Sequence, residues 1–326
     1  MPKIALFGAC GAIGHSLAAA LRSQNRAYRV VGRSRAALQA QFGDDPLAEI
    51  VVWNPDDPES VRRAAHGIDT LVYLVGVDYW RFELHPQLME KTLAGAVAEG
   101  VSRLLLIGTV YPYGRVGSAP ISEQQARHPH TFKGRMRKAQ EDLLLAAHAA
   151  GAIQACILRL PDFYGPGLDK SFLGGAFAAA AKHGTAALIG PLDRPHQFVF
   201  VPDVGPLIIK LLAQPQAFGH SWHYAGSGSS SQQAIIDEIE RQSGRVLKRR
   251  VIGKTLLRLL GLFNPMLREM VEMHYLLTEP VIMDDSALAQ LIGPLPRTDY
   301  PSGIRQCLQA VGQSQQEGEQ GKANHA

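Results

Sequence analysis

The sequence predicts an α/β protein with a doubly wound parallel sheet and a smaller C-terminal lobe. Short apolar runs alternate with amphipathic helical segments through the first half of the 326-residue chain. Most of these runs are continuously apolar, as expected for parallel strands that are covered on both faces. A glycine-rich turn follows the first run and opens the first helical segment. Together these three observations favour a layered sheet with helices on both sides.

The first half of the chain contains the predicted sheet. Its strands are Lys3–Gly8, Tyr28–Gly32, Ile50–Trp53, Thr70–Gly76, Arg103–Thr109 and Ile153–Leu160. The helices predicted between them are Ala12–Ser23, Pro58–His66, Pro86–Glu99 and Lys133–Ala150. The helix at Pro58 begins with proline and has an acidic residue in its first turn, which is typical of a helix start. Strands that alternate with helices imply right-handed crossovers.

After Leu160 the pattern changes. Pro161–Leu168 is a loop rich in glycine and proline, and Ser171–His183, Val204–Ala213 and Gln232–Gln242 are predicted helices. We therefore expect one domain, built on the parallel sheet, over residues 1–165. A smaller substrate lobe over residues 166–311 is interleaved with the end of the sheet. Residues 312–326 are rich in Gln, Glu and Gly without large apolar residues, which predicts a disordered tail.

Composition excludes several classes of protein. Charged residues make up 19% of the chain and the net charge is +4, too small to indicate a nucleic-acid partner. Cys10, Cys156 and Cys307 are widely spaced, which indicates a reducing compartment without a disulfide framework. The N-terminus has no signal-peptide pattern, and no run approaches the ~20 apolar residues of a membrane span. We expect a cytoplasmic protein without stable membrane insertion.

The turn after the first strand reads Gly8-Ala9-Cys10-Gly11-Ala12-Ile13-Gly14, with glycines in the spacing G-x-x-G-x-x-G. Glycine permits a sharp turn and a close approach of the backbone to a pyrophosphate, and the following helix presents free N–H groups to negative charge. The position between a strand and a helix is the context that this motif requires. The turn predicts a Rossmann-type site for a nicotinamide dinucleotide, with Gly8, Cys10, Gly11, Ala12, Ile13 and Gly14 in contact with it.

The end of the second strand predicts which dinucleotide binds. It reads Gly32-Arg33-Ser34-Arg35, and the first acidic residue after it is Asp44. An acidic residue here holds the ribose hydroxyls of NAD, whereas arginine accommodates the 2′-phosphate of NADP. Arg33, Ser34 and Arg35 therefore favour NADP(H) over NAD(H). Asn54, beyond the third strand, either bonds the adenine or serves a nearby helix cap.

With these residues in place, the chain resembles the extended short-chain dehydrogenase/reductase superfamily, in its NAD-dependent epimerase/dehydratase-like branch. The supporting segments are Asn54–Pro58, Leu74–Gly76, Gly108–Gly114, Arg159–Gly167, His196–Val204, Asp284–Ser286 and Leu291–Gly293. The resemblance extends from the glycine motif to about residue 310. It implies that Leu74, Val75, Gly76, Pro161 and Phe163 lie beside the cofactor.

Oxidoreductases of this superfamily use a Tyr-x-x-x-Lys pair on the helix after the fifth strand, with a Ser or Thr at the end of that strand. Aligned on Gly108–Gly114, the chain has Thr109 at the hydroxyl position, Lys133 in place of the tyrosine and Arg137 in place of the lysine. The resemblance is therefore to atypical members that lack the pair. Arg137 can supply charge and bond the ribose, but it does not readily exchange a proton.

Because Lys133 replaces the tyrosine, the identity of the residue that acts as acid or base stays open. Lys133 serves if burial and neighbouring arginines lower its pKa; otherwise it is an exposed lysine at a helix start. A phenol from Tyr111, Tyr113 or Tyr164 is the alternative, although the resemblance implies a structural or pocket-lining role for Tyr113 and Tyr164. Asp78, Tyr79 and Trp80 follow the fourth strand at the carboxyl edge of the sheet, where ligands bind in such folds.

Further candidates for substrate contact come from the second half. By the resemblance, Asp162 lies in the loop that passes the nicotinamide, and Arg194 and His196 lie in a loop near the substrate. His128 and His130 have no acidic or cysteine partner at a suitable spacing, so no metal site is predicted. The basic and apolar stretch between Arg241 and Leu277 is either a solvated face with a lid or dimer surface, or a membrane-surface site.

The sequence thus predicts an NADP(H)-dependent oxidoreductase or epimerase-like enzyme that acts on a hydroxyl or carbonyl group of a small organic substrate. Thr109, Lys133 and Arg137 are its predicted catalytic residues. The alternative is a non-catalytic NADP(H)-binding sensor or regulator, which the missing tyrosine–lysine pair favours. A homodimer through paired helices is an expectation by analogy with the fold.

Overall fold

A computed structural model describes residues 3–117, 119–168, 171–182 and 184–323 of the chain. Its main sheet has seven strands, all parallel. The strands are β1 (Ile4–Phe7), β2 (Tyr28–Gly32), β3 (Ala48–Val52), β4 (Thr70–Tyr73), β5 (Arg103–Thr109), β6 (Gln154–Leu160) and β10 (Ser221–His223). Their order is β3-β2-β1-β4-β5-β6-β10, so the order reverses between β1 and β4 and opens a crevice at the carboxyl edge.

Helices cover both faces of this sheet. One face carries α1 (Ala12–Ser23), α2 (Arg35–Phe42), α7 (Val201–Leu212) and α12 (Ser286–Ile292). The other carries α3 (Pro58–Ala65), α4 (Leu84–Ala98) and α5 (Phe132–Ala149). Helices α1 and α7 pack closely because Gly205 has no side chain; a Cβ there would lie 2.2 Å from the carbonyl oxygen of Ser16. The two buried layers explain why the strands are continuously apolar.

A smaller lobe lies beyond the carboxyl edge. Its strands are β7 (Asp162–Tyr164), β9 (Pro195–Phe200) and β11 (Ser229–Ser231) in one sheet, and β8 (Thr185–Ile189) with β12 (Lys248–Ile252) in another. Its helices are α6 (Gly174–Lys182), α8 (Gln232–Ser243), α9 (Lys254–Leu260), α10 (Pro265–Met273), α11 (Tyr275–Thr278) and α13 (Tyr300–Ala323). Short 3₁₀ turns occupy Tyr111–Tyr113 and Pro215–Ala217. None of the helices among the described residues is long and apolar enough to cross a membrane.

The predicted fold class is confirmed, and each predicted strand is present within a few residues of its expected bounds. The six described strands after Leu160 were not predicted. β7, β10 and β11 are only three residues long; β10 completes the main sheet and β7 lies inside the predicted loop, while β8, β9 and β12 belong to the small sheets of the second lobe. The predicted tail differs as well. Helix α13 continues through residues 312–323, where Gln, Glu and Ala favour helix and no proline interrupts it. Residues 324–326 lie outside the described part of the chain.

Candidate active site

The glycine turn between β1 and α1 is shaped by close backbone contacts. Gly8 has a positive φ of 88°, and a Cβ on it would lie 2.8 Å from the backbone of Leu74 and Val75. A Cβ on Gly14 would lie 2.0 Å from the carbonyl oxygen of Ala9. Gly11 begins α1 without a side-chain cap, so the first N–H groups of this helix have no intrahelical acceptor and no capping side chain. The turn therefore packs directly against the segment after β4.

Beside the turn lies a cavity of about 610 Å³. Cys10 and Ala12 form one wall, and Pro166, Gly167 and Leu168 form part of the opposite side. The Cys10 thiol is half-buried, and burial raises its pKa. Leu168 also lines the larger cavity described below, so the two spaces adjoin at this residue.

The end of β2 presents exposed cationic side chains. Arg33 and Arg35 are exposed, and among the described residues no carboxylate forms an ion pair with either. Ser34 caps α2, with its hydroxyl accepting the N–H of Ala37 at 3.2 Å. The Asn54 side chain accepts the N–H of Asp56 at 3.0 Å and so orders its own loop. Free guanidinium groups here are available to an anion.

Lys133, at the start of α5, is fully buried, so the interpretation as an exposed lysine is wrong. Its Nζ lies 2.5 Å from Glu269 Oε2 and 2.8 Å from Glu272 Oε2, both on α10. It also lies 5.0 Å from the centre of the Tyr79 ring. Burial of an ammonium group requires such partners. Lys133 therefore connects the main sheet unit to the smaller lobe.

Arg137, one turn further along α5, faces the interior of the sheet unit. Its Nη2 donates to the carbonyl oxygen of Ile107 at 2.7 Å, and its Nη1 donates to Gln140 at 2.6 Å and to His85 Nδ1 at 3.2 Å. Burial lowers the pKa of the guanidinium. Burial and the charge of Arg137 lower the pKa of His85 to about 2, so the imidazole is neutral and accepts the bond. Arg137 thus anchors α5 to β5.

The largest cavity near these residues has a volume of about 640 Å³. Tyr79, Trp80, Tyr111 and Asp162, four of the predicted substrate contacts, line it together with Phe163. The other described lining residues are Leu168, Ser171, Phe172, Ala187, Ile189, Met266 and Met270. Asp78 and Arg194 are exposed and do not line it. His196 lies behind Asp162, with Nε2 at 2.6 Å from the carboxylate.

Tyr111 and Tyr79 are the phenols that line this cavity among the described residues. The Tyr111 hydroxyl lies 3.3 Å from that of Tyr79, and the Tyr111 backbone N–H donates to Thr109 Oγ1 at 3.3 Å. Burial, and then the negative charge of Asp162, raise the pKa of Tyr111, which keeps the phenol protonated at neutral pH. Tyr113 and Tyr164 are fully buried elsewhere. The arrangement at Tyr111 can donate a proton to an oxygen atom held in the cavity.

Behind the site, a buried ion pair fixes α5 against β6. Glu141 and Arg159 are 1% and 2% exposed, and Arg159 donates to the two carboxylate oxygens at 3.0 and 2.7 Å. Arg127 donates a further bond to Glu141 at 3.0 Å. Bidentate pairs of this kind fix orientation as well as distance. The pair thereby positions the helix that carries Lys133 and Arg137.

The Arg159 guanidinium also begins a chain of hydrogen bonds. Arg159 donates to the Tyr113 hydroxyl at 2.6 Å, and that hydroxyl lies 2.5 Å from His223 Nε2. His223 Nδ1 lies 3.1 Å from the carbonyl oxygen of Asp284, which can only accept, so Nδ1 carries the proton. Burial and the charge of Arg159 lower the pKa of His223 to about 4. Tyr113 is thus a structural residue rather than an acid facing substrate.

A family model decides the relationship of this chain. The model of the NAD dependent epimerase/dehydratase family matches residues 4–225, about two thirds of the sequence. The chain belongs to this family. The glycine turn, the segment after β4 and the buried Lys133 and Arg137 all lie within the matched part.

Known members resemble this epimerase/dehydratase-family protein to different extents. The dTDP-6-deoxy-L-talose 4-dehydrogenase (NAD(P)(+)) of Kitasatospora kifunensis is 26% identical over 262 residues, covering 74% of this chain and 79% of that protein. The dTDP-glucose 4,6-dehydratase of Streptomyces venezuelae, solved with NAD bound, has a TM-score of 0.81 at 17% identity over 96% of this chain and 98% of that one. An NADPH complex from Pseudomonas aeruginosa has a TM-score of 0.76 at 17% identity over 96% and 100%. The structural likeness shows a shared fold.

Sequence reasoning missed the part of the site that the smaller lobe supplies. Glu269 and Glu272 bind Lys133, while Phe172, Met266 and Met270 form a wall of the larger cavity. No motif marks these residues, because their role depends on how α10 packs against the main sheet unit. The apolar and basic character of the segment was visible in the sequence, but its proximity to Lys133 was not.

Proposed function

We propose that this protein is an NADP(H)-dependent oxidoreductase or epimerase-like enzyme that acts on a hydroxyl or carbonyl group of a small organic substrate. The observation that carries the proposal is that the cavity lined by the Tyr111 phenol adjoins, at Leu168, the cavity beside the glycine turn. Family membership supports it, since the family is one of NAD-dependent enzymes. The related dehydrogenase and the solved complexes with NAD or NADPH support a nicotinamide cofactor.

The residues that would hold the dinucleotide are the glycine turn, the segment Leu74–Gly76, and Pro161 with Phe163 after β6. Arg33 and Arg35 supply positive charge for a 2′-phosphate, since the free forks match phosphate geometry. Ser34 and Asn54 order the two loops beneath it, through their own backbone bonds. When bound, the nicotinamide supplies hydride transfer. The remaining chemistry concerns one proton and the orientation of the substrate.

In this proposal Tyr111 donates the proton to the substrate oxygen. Thr109 accepts the Tyr111 N–H and is not among the described residues that line the cavity, so we assign it the role of positioning Tyr111. Tyr79 shares a hydrogen bond with Tyr111, which offers a path for replacing the proton. Lys133 would become an acid or base only by leaving Glu269 and Glu272, so we assign it a positioning role in this geometry. Arg137 holds α5 and contributes positive charge.

The cofactor part of the proposal is tested by titrating the protein with NADPH and NADH and following nicotinamide fluorescence. Arg33→Asp is expected to weaken NADPH binding at least about tenfold and to leave NADH binding unchanged or tighter. Arg241→Asp, an exposed arginine of α8, is the control and should change neither. Equal loss of both cofactors in Arg33→Asp would contradict the assigned preference. Absence of binding to any form would overturn the whole proposal.

A second candidate is a non-catalytic NADP(H)-binding sensor or regulator. It is favoured by the bonds that engage Lys133 and Arg137, the residues in place of the usual tyrosine and lysine. A catalytic protein should lose about 10²-fold or more in kcat in Tyr111→Phe, the range expected for removal of a general acid. A sensor should distinguish oxidised from reduced cofactor without turning over any carbonyl compound. The expected homodimer and cytoplasmic location stay predictions of the sequence.

A further inference from the structure

The walls of the larger cavity are mostly carbon and sulfur. Phe163, Phe172, Ile189, Met266 and Met270 contribute side chains without hydrogen-bonding groups other than the weak acceptor sulfurs of methionine. Among the described lining residues the polar side-chain groups are few: the hydroxyls of Tyr79, Tyr111 and Ser171, the indole N–H of Trp80 and the carboxylate of Asp162. A volume of about 640 Å³ is in the usual range for a small-molecule site. This lining favours a compact ligand with one polar end.

The charge of the cavity disfavours a ligand that carries a diphosphate. Among the described residues that line it, Asp162 is the one charged side chain, and it is acidic. Arg194, the cation that the sequence placed near the substrate, is exposed and lies outside the lining. Lys133 is bound by Glu269 and Glu272, and Arg268 pairs with Glu269, so Lys133 is not a free cation for an anionic ligand. A diphosphate buried here would meet the Asp162 carboxylate and no free cation among the described lining residues, which is unfavourable.

We propose that the substrate is a neutral, largely apolar ring ketone or the corresponding alcohol, rather than the nucleotide sugar on which the related enzymes act. The proposal rests on the proposed function, and it assigns the oxygen end of the substrate to Tyr111. The apolar ring then packs against Phe172, Met266 and Met270. Aromatic and methionine side chains suit such a ligand because they adapt to its shape while excluding water.

The test compares two probes, the neutral ketone 2-decalone and the anionic nucleotide sugar dTDP-glucose, on the NADPH-loaded protein. Calorimetry should show binding of 2-decalone, and NADPH absorbance should fall when it is added. Phe172→Ala is expected to weaken 2-decalone binding about tenfold, while Phe132→Ala, on the first turn of α5 and outside this cavity, should leave it unchanged.

The results distinguish failure of the proposed substrate class from failure of the proposed NADP(H)-dependent function. If NADPH binds and dTDP-glucose also binds, or if 2-decalone does not bind, the apolar substrate class is wrong while the cofactor site stands. Loss of 2-decalone binding in Phe132→Ala to the same degree as in Phe172→Ala would likewise overturn the assignment to this cavity. If NADPH itself does not bind, the proposed function falls first.

A separate observation concerns the outer surface of α9 and α10. The connection between these helices carries Leu262 and Phe263, which are 76% and 90% exposed. Leu256, Leu259, Leu260 and Met266 are exposed nearby, and Lys254, Arg258 and Arg268 stand among them. We name these nine residues the α9–α10 patch. Large apolar side chains are rarely exposed together without a function.

We infer that the α9–α10 patch binds the surface of a membrane that contains anionic lipid. The apolar tip at Leu262 and Phe263 enters the headgroup region, and Lys254 and Arg258 face the lipid phosphates, while Arg268 pairs with Glu269. Charge complementarity decides for this occupant over a second copy of the chain, since two such patches would bring like charges together. Met266 belongs both to the patch and to the cavity lining, so the cavity lies next to this surface.

Flotation with vesicles of phosphatidylcholine alone, or mixed with phosphatidylglycerol, tests this inference on the full chain. The protein should float with the mixed vesicles, less so at high salt, and the double variant Leu262→Asp with Phe263→Asp should not. Val246→Asp is the matched control, because Val246 is 92% exposed but lies outside the patch. Failure of the unaltered protein to float overturns the inference. So does a dimer in solution that dissociates in the double variant.

Discussion

Removal of the Arg159 guanidinium should destabilise the protein through the charge that it leaves behind. Arg159→Met keeps most of the buried volume but deletes two of the three charged hydrogen bonds to Glu141. The carboxylate, 1% exposed, would then keep Arg127 as its cationic partner. Breaking a buried pair typically costs 3–5 kcal/mol, and because Arg127 remains we expect a loss of about 3 kcal/mol in the free energy of unfolding.

The assay is urea unfolding followed by circular dichroism, with the variant's midpoint compared at equal slope. Adding Glu141→Gln to Arg159→Met removes the buried carboxylate charge that Arg127 alone would have to neutralise, so the double variant should recover roughly half of the loss. Lys138→Met is the control on the same helix, because its pair with Asp142 is partly exposed and should matter little. A single variant that loses less than about 1 kcal/mol, or a double variant no more stable than the single one, would refute the reasoning.

Three further outcomes are expected. Gly14→Ala places a Cβ 2.0 Å from the Ala9 carbonyl oxygen, so the turn must shift and NADPH affinity should fall at least about tenfold in the same titration; unchanged affinity would contradict the close packing. The pKa of His223, lowered from 6.5 to about 4, means that the unfolded chain takes up a proton first as the pH falls. Neutral His223 therefore contributes about 3 kcal/mol to the free energy of unfolding above pH 6.5, and this contribution is lost as the pH falls towards 4. His223→Gln should make the free energy of unfolding depend less on pH across that window, and an unchanged pH dependence would count against the reasoning. Lys133→Met removes the cation that Glu269 and Glu272 share and leaves Glu269 only its pair with Arg268, so hydrogen exchange in α10 should become faster; unchanged exchange would show that the Lys133 ion pairs do not hold this helix.

The fold of the main sheet unit was predictable because its signals are local. Continuous apolar runs, a proline-marked helix start and glycines at fixed spacing act within a few residues of one another, and β1 to β6 follow from them. The glycine turn was predictable for the same reason: Gly8 and Gly14 meet the adjoining backbone wherever this strand and helix form. β7 and β10 escaped detection because three residues carry too little periodicity, and tertiary pairing alone defines them.

The site itself shows the limit of local signals. The sequence identified Tyr79, Trp80, Tyr111 and Asp162 as residues near a substrate, since each follows a strand at the carboxyl edge, and all four line one cavity. It could not decide whether Lys133 is exposed or buried, because its partners Glu269 and Glu272 lie more than 130 positions away. The resemblance implied a structural or pocket-lining role for Tyr113 and Tyr164, and only the tertiary structure shows that both are fully buried away from the cavity that Tyr111 lines. The sequence by itself determined the core strands, the turn and the family. The packing of α10 beside the start of α5 decided the partners of Lys133 and part of the lining of the cavity, because burial and partnership depend on residues distant in the chain.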